Sequence, residues 1–417
     1  MDPYAMTTGV LRNPDFLRFL TSHVGNELGA NISRVALPLV AVVALHAGPA
    51  QVALLSALQT AAFLLLGLPA GVWVDRMRRR RVMVVSDLAR FVLLASIPLA
   101  AHLGVLSIGM MFTVAFLAGV AQVFNDVADQ TYLPNLVSTP QLGDGNSKLE
   151  VVRSGGFLAG PGIGGALVQL LGAPRTMLAT ALGALASAVF LSSIRTPDKP
   201  PAAGVREPLL RGIGAGLRYV WRDRLMRMFA AASIAANVTV GAVLGLSVLF
   251  LAEDVGLPPG LIGVLLMSGG FGGVAAGLLG GVLSRRIGTA RMTWLSLTVP
   301  APFALLLPMT QADWRVAFFA ITSIALSWSS ALSTVGLITY RQTTVPEHLL
   351  GRVNASFRSF MWGSIPLGAL LGGFVAQEIG VRTALWVFMI GRLVSFVPLL
   401  FSPLPWLRDF DEAQAKS

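Results

Sequence analysis

About 20 apolar residues in a row are enough to cross the hydrocarbon core of a bilayer, and such stretches recur along nearly the whole of this 417-residue chain. Reading in that window places spans at 16–46, 51–74, 82–103, 105–128, 148–171 and 174–194, then at 227–251, 258–283, 290–311, 314–339, 354–377 and 381–403. In lipid every backbone amide and carbonyl has to be satisfied within the protein, so each stretch predicts a helix. The expected fold class is an all-α integral membrane protein with twelve transmembrane helices in two groups of six. Charged residues make up only 12% of the chain, about half of what a soluble domain carries. The 44 glycines and 24 prolines suit close helix contacts in a membrane, where neighbours re-satisfy freed carbonyls.

The organisation follows from the gap between the two groups. Residues 1–194 form an N-terminal six-helix bundle and 227–417 a C-terminal one with a short tail, joined by a polar, proline-rich linker at 195–226. Within the linker, Leu209, Leu210, Ile213, Leu217, Val220 and Trp221 recur at helical spacing with Arg211, Arg218 and Arg222 opposite, which predicts an amphipathic helix lying on an anionic membrane surface. The net charge of +11 does not point to nucleic acid. Only Arg175, Arg315 and Arg382 fall in odd-numbered loops and Arg34, Arg90 and Arg392 inside spans; the other basic residues crowd into the even-numbered loops, the helix ends beside them and the termini. By the positive-inside rule both termini are cytoplasmic. There is no cysteine, and His23, His46, His102 and His348 are dispersed, so neither a disulfide nor a metal site is expected. No cleavable leader is evident; the first apolar run reads as the first span.

The second half repeats the first. At an offset of 208 residues Tyr132 meets Tyr340, Asn146 meets Asn354, Gly160 meets Gly368, Gly164 and Gly165 meet Gly372 and Gly373, and Gln169 meets Gln377. At 210, Pro49 meets Pro259, Gly67 meets Gly277, Gly71 meets Gly281 and Arg76 meets Arg286. Parallel six-helix repeats around a midplane site are the architecture of alternating-access carriers.

Between spans 2 and 3, Gly71, Asp75, Arg76, Arg79 and Arg80 stand in the order G-x-x-x-D-R-x-x-R-R, which resembles the loop signature of the major facilitator superfamily. Physically, Gly71 permits a close helix contact and Asp75 suits the positive N-terminal end of a helix. The resemblance implies that this helix is span 11, that Arg79 pairs with Asp126 at the end of span 4, and that these contacts latch the halves in the outward-facing state. A generic positive-inside cluster explains the arginines as well, but not the spaced Gly71 and Asp75. In the second copy Arg285 stands where the acid would be.

Span 5 carries Gly156, Gly160, Pro161, Gly164 and Gly165 as G-x-x-x-G-P-x-x-G-G. This resembles the element of the drug:proton antiporter branch, and the resemblance implies export. Glycines four apart also make a flat groove for a neighbouring helix, and the proline bends the span. More broadly the chain is similar to the bacterial exporter group that includes macrolide-efflux and enterobactin-exporter-like proteins, through Leu11 to Phe16, Arg34 to Pro38, Asp126 to Pro134 and Asn146 to Glu150. The group implies a bacterial inner-membrane, monomeric carrier of small molecules, coupled to protons, with no cofactor.

Ionisable groups at bilayer depth are costly and point to function. His23, Glu27, Asn31 and Arg34 follow at steps of four, four and three, on one face of span 1. The resemblance places spans 1, 4, 7 and 10 around a central cavity, so this face is the expected substrate or proton path. Its partner at offset 210 is Asn237, matching Glu27, and Trp328 in span 10 offers an aromatic surface to cargo, or packs. Glu27 either binds the coupling proton or a cationic cargo, one excluding the other, or forms a structural pair with Arg34 bridged by Asn31 or water. Asp87 with Arg90, at i,i+3, reads as a structural ion pair. An uptake symporter would carry denser hydrogen-bonding residues on spans 4 and 7. A transport-inactive sensor would carry an extramembrane domain. No metal cluster, nucleophile elbow or phosphate loop speaks for an enzyme.

Overall fold

In the computed structural model, residues 10–74, 76–138, 141–198, 218–345, 347–400 and 404–410 are described. Among them, the principal elements are α1 (Pro14–Leu39), α2 (Pro49–Val74), α3 (Arg79–His102), α4 (Ile108–Asp129), α5 (Leu142–Leu171) and α6 (Ala173–Ser192), followed by α7 (Arg224–Leu249), α8 (Pro259–Ile287), α9 (Thr289–Thr298), α10 (Val316–Thr344), α11 (Glu347–Ile379) and α12 (Val381–Val394). Ten helical stretches among the described residues are long and apolar enough to cross a membrane. Large apolar side chains point outward on several of them, Val151, Leu170, Leu278 and Phe374 among others. A soluble monomer does not present apolar surface on this scale; a lipid-facing one does.

Local chemistry sets the helix ends. Asn13 caps α1 by accepting from the amides of Asp15 (2.9 Å) and Phe16 (3.2 Å), with Pro14 in the first turn. Asp223 caps α7 in the same way through the amide of Met226, 2.7 Å away. These are the residue types whose side-chain oxygens best satisfy the orphan amides of a first turn. Gly172 and Gly380, with φ of 83° and 85°, make the sharp connections from α5 to α6 and from α11 to α12. Positive φ at both suits glycine.

The repeat is visible in the backbone. Both α1 and α7 are 26 residues long and pass directly into a five-residue π-helical turn, Val40–Ala44 in one and Phe250–Asp254 in the other. The ring of Phe19 packs on Tyr132 with centroids 5.5 Å apart, and Phe229 packs on Tyr340 at 5.8 Å. One detail has diverged. Tyr340 donates its hydroxyl to Asp223, 3.2 Å away, whereas Asn13, which stands in the corresponding place, turns its amide to the Leu136 carbonyl (2.8 Å). The Tyr132 hydroxyl is buried with no hydrogen-bond partner among the described residues, and burial pushes it up to about 12.

The chain divides into two compact units: Met1–Ala47 with Leu58–Gly204 and Pro259–Gly263, and Gly48–Ala57 with Val205–Pro258 and Val264–Ser417. In the first, α1 packs on α5 and α6, and α3 on α4 and α6; in the second, α7 packs on α11 and α9 on α10. Corresponding glycines make close approaches. A β-carbon on Gly160 would overlap Asn31 of α1, and one on Gly368 would overlap the Val238 carbonyl of α7.

The helices depart from the predicted spans mainly at their ends. α5 begins at Leu142, α8 runs to Ile287, α10 to Thr344, and α11 starts at Glu347, because a hydropathy window sees only the apolar centre of a helix that continues into polar turns. The ninth span is not one helix. α9 stops at Thr298 and the chain continues as a 3₁₀ segment, Ala301–Met309; Pro300 removes an amide donor and clashes with the preceding turn. The twelfth ends at Val394 and resumes at Val397–Leu400. The amphipathic linker helix falls mostly on 199–217, outside the described residues; 218–222 is helical.

Candidate functional site

The polar face of α1 comes together as a continuous string. The Asn31 amide donates to the backbone carbonyl of Glu27 (2.8 Å) and lies 3.4 Å from its carboxylate, while Arg34 donates to the Asn31 side-chain oxygen (3.0 Å). Asn31 thus bridges Glu27 and Arg34, which are too far apart along the helix to meet directly. The Arg34 guanidinium lies 5.7 Å from the centre of the Phe157 ring on α5, within cation–π range. On the other side of Glu27, His23 Nε2 stands 3.8 Å from one carboxylate oxygen, and His23 Nδ1 stands 3.4 Å from Asp129 at the end of α4.

The glycines of α5 are what let this string pack. A β-carbon at Gly156 would fall 3.0 Å from that of Glu27, one at Gly160 would overlap Asn31, and one at Gly164 would lie 3.3 Å from the Ile32 Cα. The spaced glycines therefore form the groove into which the polar face of α1 is laid. Gly165 and Pro161 face away from that groove, toward Pro259 and Gly263, which belong to the same unit. Small residues at such positions let backbones approach as van der Waals packing in lipid requires.

A second polar cluster lies behind the first and is buried. Asp87 of α3, with no exposed surface, accepts from Asn125 of α4 (2.8 Å) and from Ser187 of α6 (2.5 Å), and faces Arg90 at 3.5 Å. Arg90 also donates to Asn26 of α1, whose amide reaches Asn125 (3.2 Å). The Asp87–Arg90 pair is the structural one expected, and it ties four helices together. Its groups satisfy one another, as buried charges require.

The latch residues are only partly assembled. Asp75 lies outside the described residues, and Gly71 is in the last turn of α2. Arg76 is exposed. Arg79 opens α3 and donates to the Thr131 carbonyl (2.8 Å), while Asp126 accepts from Gln122 (2.6 Å). The expected Arg79–Asp126 pair is not formed, because each group has a nearer partner. In the second unit Asn237 is half-buried and makes no side-chain hydrogen bond among the described residues, and Trp328 packs at the edge of an apolar cluster of Ala276, Met292 and Leu332.

Residues 6–417 match the model of a family described as transmembrane secretion effector. The chain belongs to this family. The transmembrane secretion effectors are transporters of the major facilitator superfamily, and this member resembles the multidrug efflux pump Tap of Mycolicibacterium fortuitum at 31% identity over 412 residues, covering 94% of this chain and 95% of that one. Macrolide efflux protein A of Streptococcus pyogenes is 21% identical, over 84% of this chain and 86% of its own. Among solved structures, a mutant of the nucleoside transporter NupG superposes with a TM-score of 0.76 at 13% identity, covering 93% of this chain and 99% of that one, which shows the major facilitator fold.

In this secretion effector, the predicted Glu27, Asn31 and Arg34 are joined, and Gly156, Gly160 and Gly164 are brought onto them. Asp129 and the Asn26, Asn125 and Ser187 cluster were not singled out in the sequence. Asp129 carried a signal, being a second acid three residues after Asp126 at the end of an apolar span, and His23 stood in the stripe. Asn125 and Ser187 carried none, since a single polar residue in an apolar helix does not say which helix it faces.

Proposed function

We propose that this transporter exports lipophilic or amphiphilic small molecules in exchange for protons, by alternating access of two six-helix bundles, 1–194 and 227–417, joined by the linker at 195–226. It works as a monomer in a bacterial inner membrane with both termini cytoplasmic, without a cofactor, without enzymatic chemistry and without a nucleic-acid partner. The observation that carries the reading is the membrane-depth string of His23, Glu27, Asn31 and Arg34 on the α5 glycine groove. Glu27 is its one acid on α1 and is partly accessible, with 23% of its side chain exposed. A carboxylate in that position takes up a proton or a cationic cargo, one excluding the other, which couples the two flows. Efflux relatives support the direction of transport. Asn237 and Trp328 supply the second unit's hydrogen bond and aromatic surface to cargo, and Gly71, Asp75, Arg76, Arg79 and Asp126 set the balance between conformations.

A second reading has its own support. Because Asn31 bonds both Glu27 and Arg34, the string is also what a fixed structural triad looks like. Energised accumulation of ethidium and a panel of antibiotics in an efflux-deficient host separates the two. Reduced accumulation with wild type, lost with a protonophore and with Glu27→Gln, is the result expected of the carrier. Proton-dependent efflux that survives Glu27→Gln removes Glu27 from the coupling path and leaves the triad.

A further inference from the structure

We propose that His23 and Asp129 form the proton relay that connects Glu27 with the end of α4, a role that rests on Glu27 being the proton carrier. The ring of His23 stands between two carboxylates on different helices, with Nδ1 3.4 Å from Asp129 of α4 and Nε2 3.8 Å from Glu27. A histidine that presents one nitrogen to each of two acids accepts a proton on one and releases a proton from the other. Only 10% of its side chain is exposed, whereas Asp129 and Glu27 keep 20% and 23%. The imidazole is thus the enclosed middle of a path whose two ends are open.

The charged groups facing His23 are Glu27 on its own helix, Asp129 from α4 and Arg153 from α5; Phe19 covers one side of the ring, with centroids 6.3 Å apart. Two acids and one base flank it, so the imidazolium formed in transit is accompanied by carboxylate on both sides. Unloading runs as two transfers. Protonated Glu27 gives its proton to Nε2, leaving a carboxylate and an imidazolium; the imidazolium gives the proton on Nδ1 to Asp129, which passes it to water. The starting tautomer returns when one water takes the proton from Nε2 and another gives one to Nδ1. The 3.8 Å gap closes by a side-chain torsion or through one bridging water. Asp129 lies at the end of α4, where Arg79 meets Thr131, the side assigned to the cytoplasm under the proposed orientation.

The test is rapid-mixing infrared spectroscopy of the purified full-length protein after a pH jump, following the protonated-carboxyl band that disappears in Glu27→Gln. It needs no transported ligand. In His23→Gln and in Asp129→Asn the band is expected to reach wild-type amplitude at least ten times more slowly, and added free imidazole is expected to restore part of the rate in His23→Gln. Wild-type rates in both variants would overturn the relay while leaving Glu27 as carrier. A change in final amplitude with an unchanged rate would also overturn it, since it would mean His23 only tunes Glu27. If wild type shows no Glu27-dependent band, the carrier reading fails and the relay with it.

Discussion

Gly160 leaves no space for a side chain between α5 and α1, since a β-carbon there would overlap that of Asn31. A β-carbon on Gly155, five residues earlier on α5, would have nothing within 4 Å. Gly160→Ala is therefore expected to cost about 1–3 kcal/mol through overpacking and to weaken transport by displacing Asn31 from Glu27. Gly155→Ala is expected to be neutral or slightly stabilising, as alanine is the better helix former. Thermal unfolding in detergent compares the two, and equal shifts would mean that the groove is not held this closely.

The paired tyrosines make opposite predictions. Tyr340→Phe removes a hydrogen bond to the Asp223 carboxylate and is expected to destabilise by about 1.5–3 kcal/mol. Tyr132→Phe removes a buried hydroxyl without a described partner and is expected to be neutral or stabilising. Burial raises Tyr132 from 10.0 to about 12, so the stability it contributes is complete below pH 10 and is lost as pH rises toward 12. Tyr132→Phe should accordingly gain on wild type across that window in an alkaline unfolding series.

The Asp87 cluster should respond as a buried ion pair does. Asp87→Ala leaves Arg90 buried with its carboxylate gone and is expected to cost about 3–5 kcal/mol, seen as lost membrane expression. Ser187→Ala removes one neutral donor and should cost about 1–3 kcal/mol. In whatever protein remains folded, substrate preference is expected to be unchanged, because the cluster lies behind the α1 string. A shift in the antibiotic profile of Ser187→Ala would contradict this placement.

Arg382, at the start of α12, donates to the carbonyls of Pro308 (2.7 Å) and Thr310 (3.0 Å) and lies 5.0 Å from the centre of the Phe250 ring. Both bonds come from Nη1, and lysine has no planar group to lay on the Phe250 ring while it makes them. Arg382→Lys is therefore expected to behave nearly like Arg382→Ala, each losing about 1–3 kcal/mol, whereas a role for the charge alone would leave the lysine variant at wild-type stability.

What could be read in advance follows a physical division. The helices and the repeat were legible because apolar length and recurring Gly and Pro act over many residues at once. The α1 stripe was legible because helical spacing fixes which residues share a face, and the Asn31 bridge follows from it. Partner choice across helices was not. Arg79 reaches Thr131 and Asp126 takes Gln122, and nothing in one chain's spacing decides between such near neighbours. The break in the ninth span had its cause in view at Pro300, but a hydropathy window averages over one proline.

The wide turns that close α1 and α7 share their register while sharing no residue: Val40–Ala44 reads VAVVA and Phe250–Asp254 reads FLAED. Such turns are local insertions into a helix. A turn that holds the same place in both copies with no side chain in common is set by its position in the repeat and not by any one of its residues. The shape is what the two copies share here, whatever letters spell it.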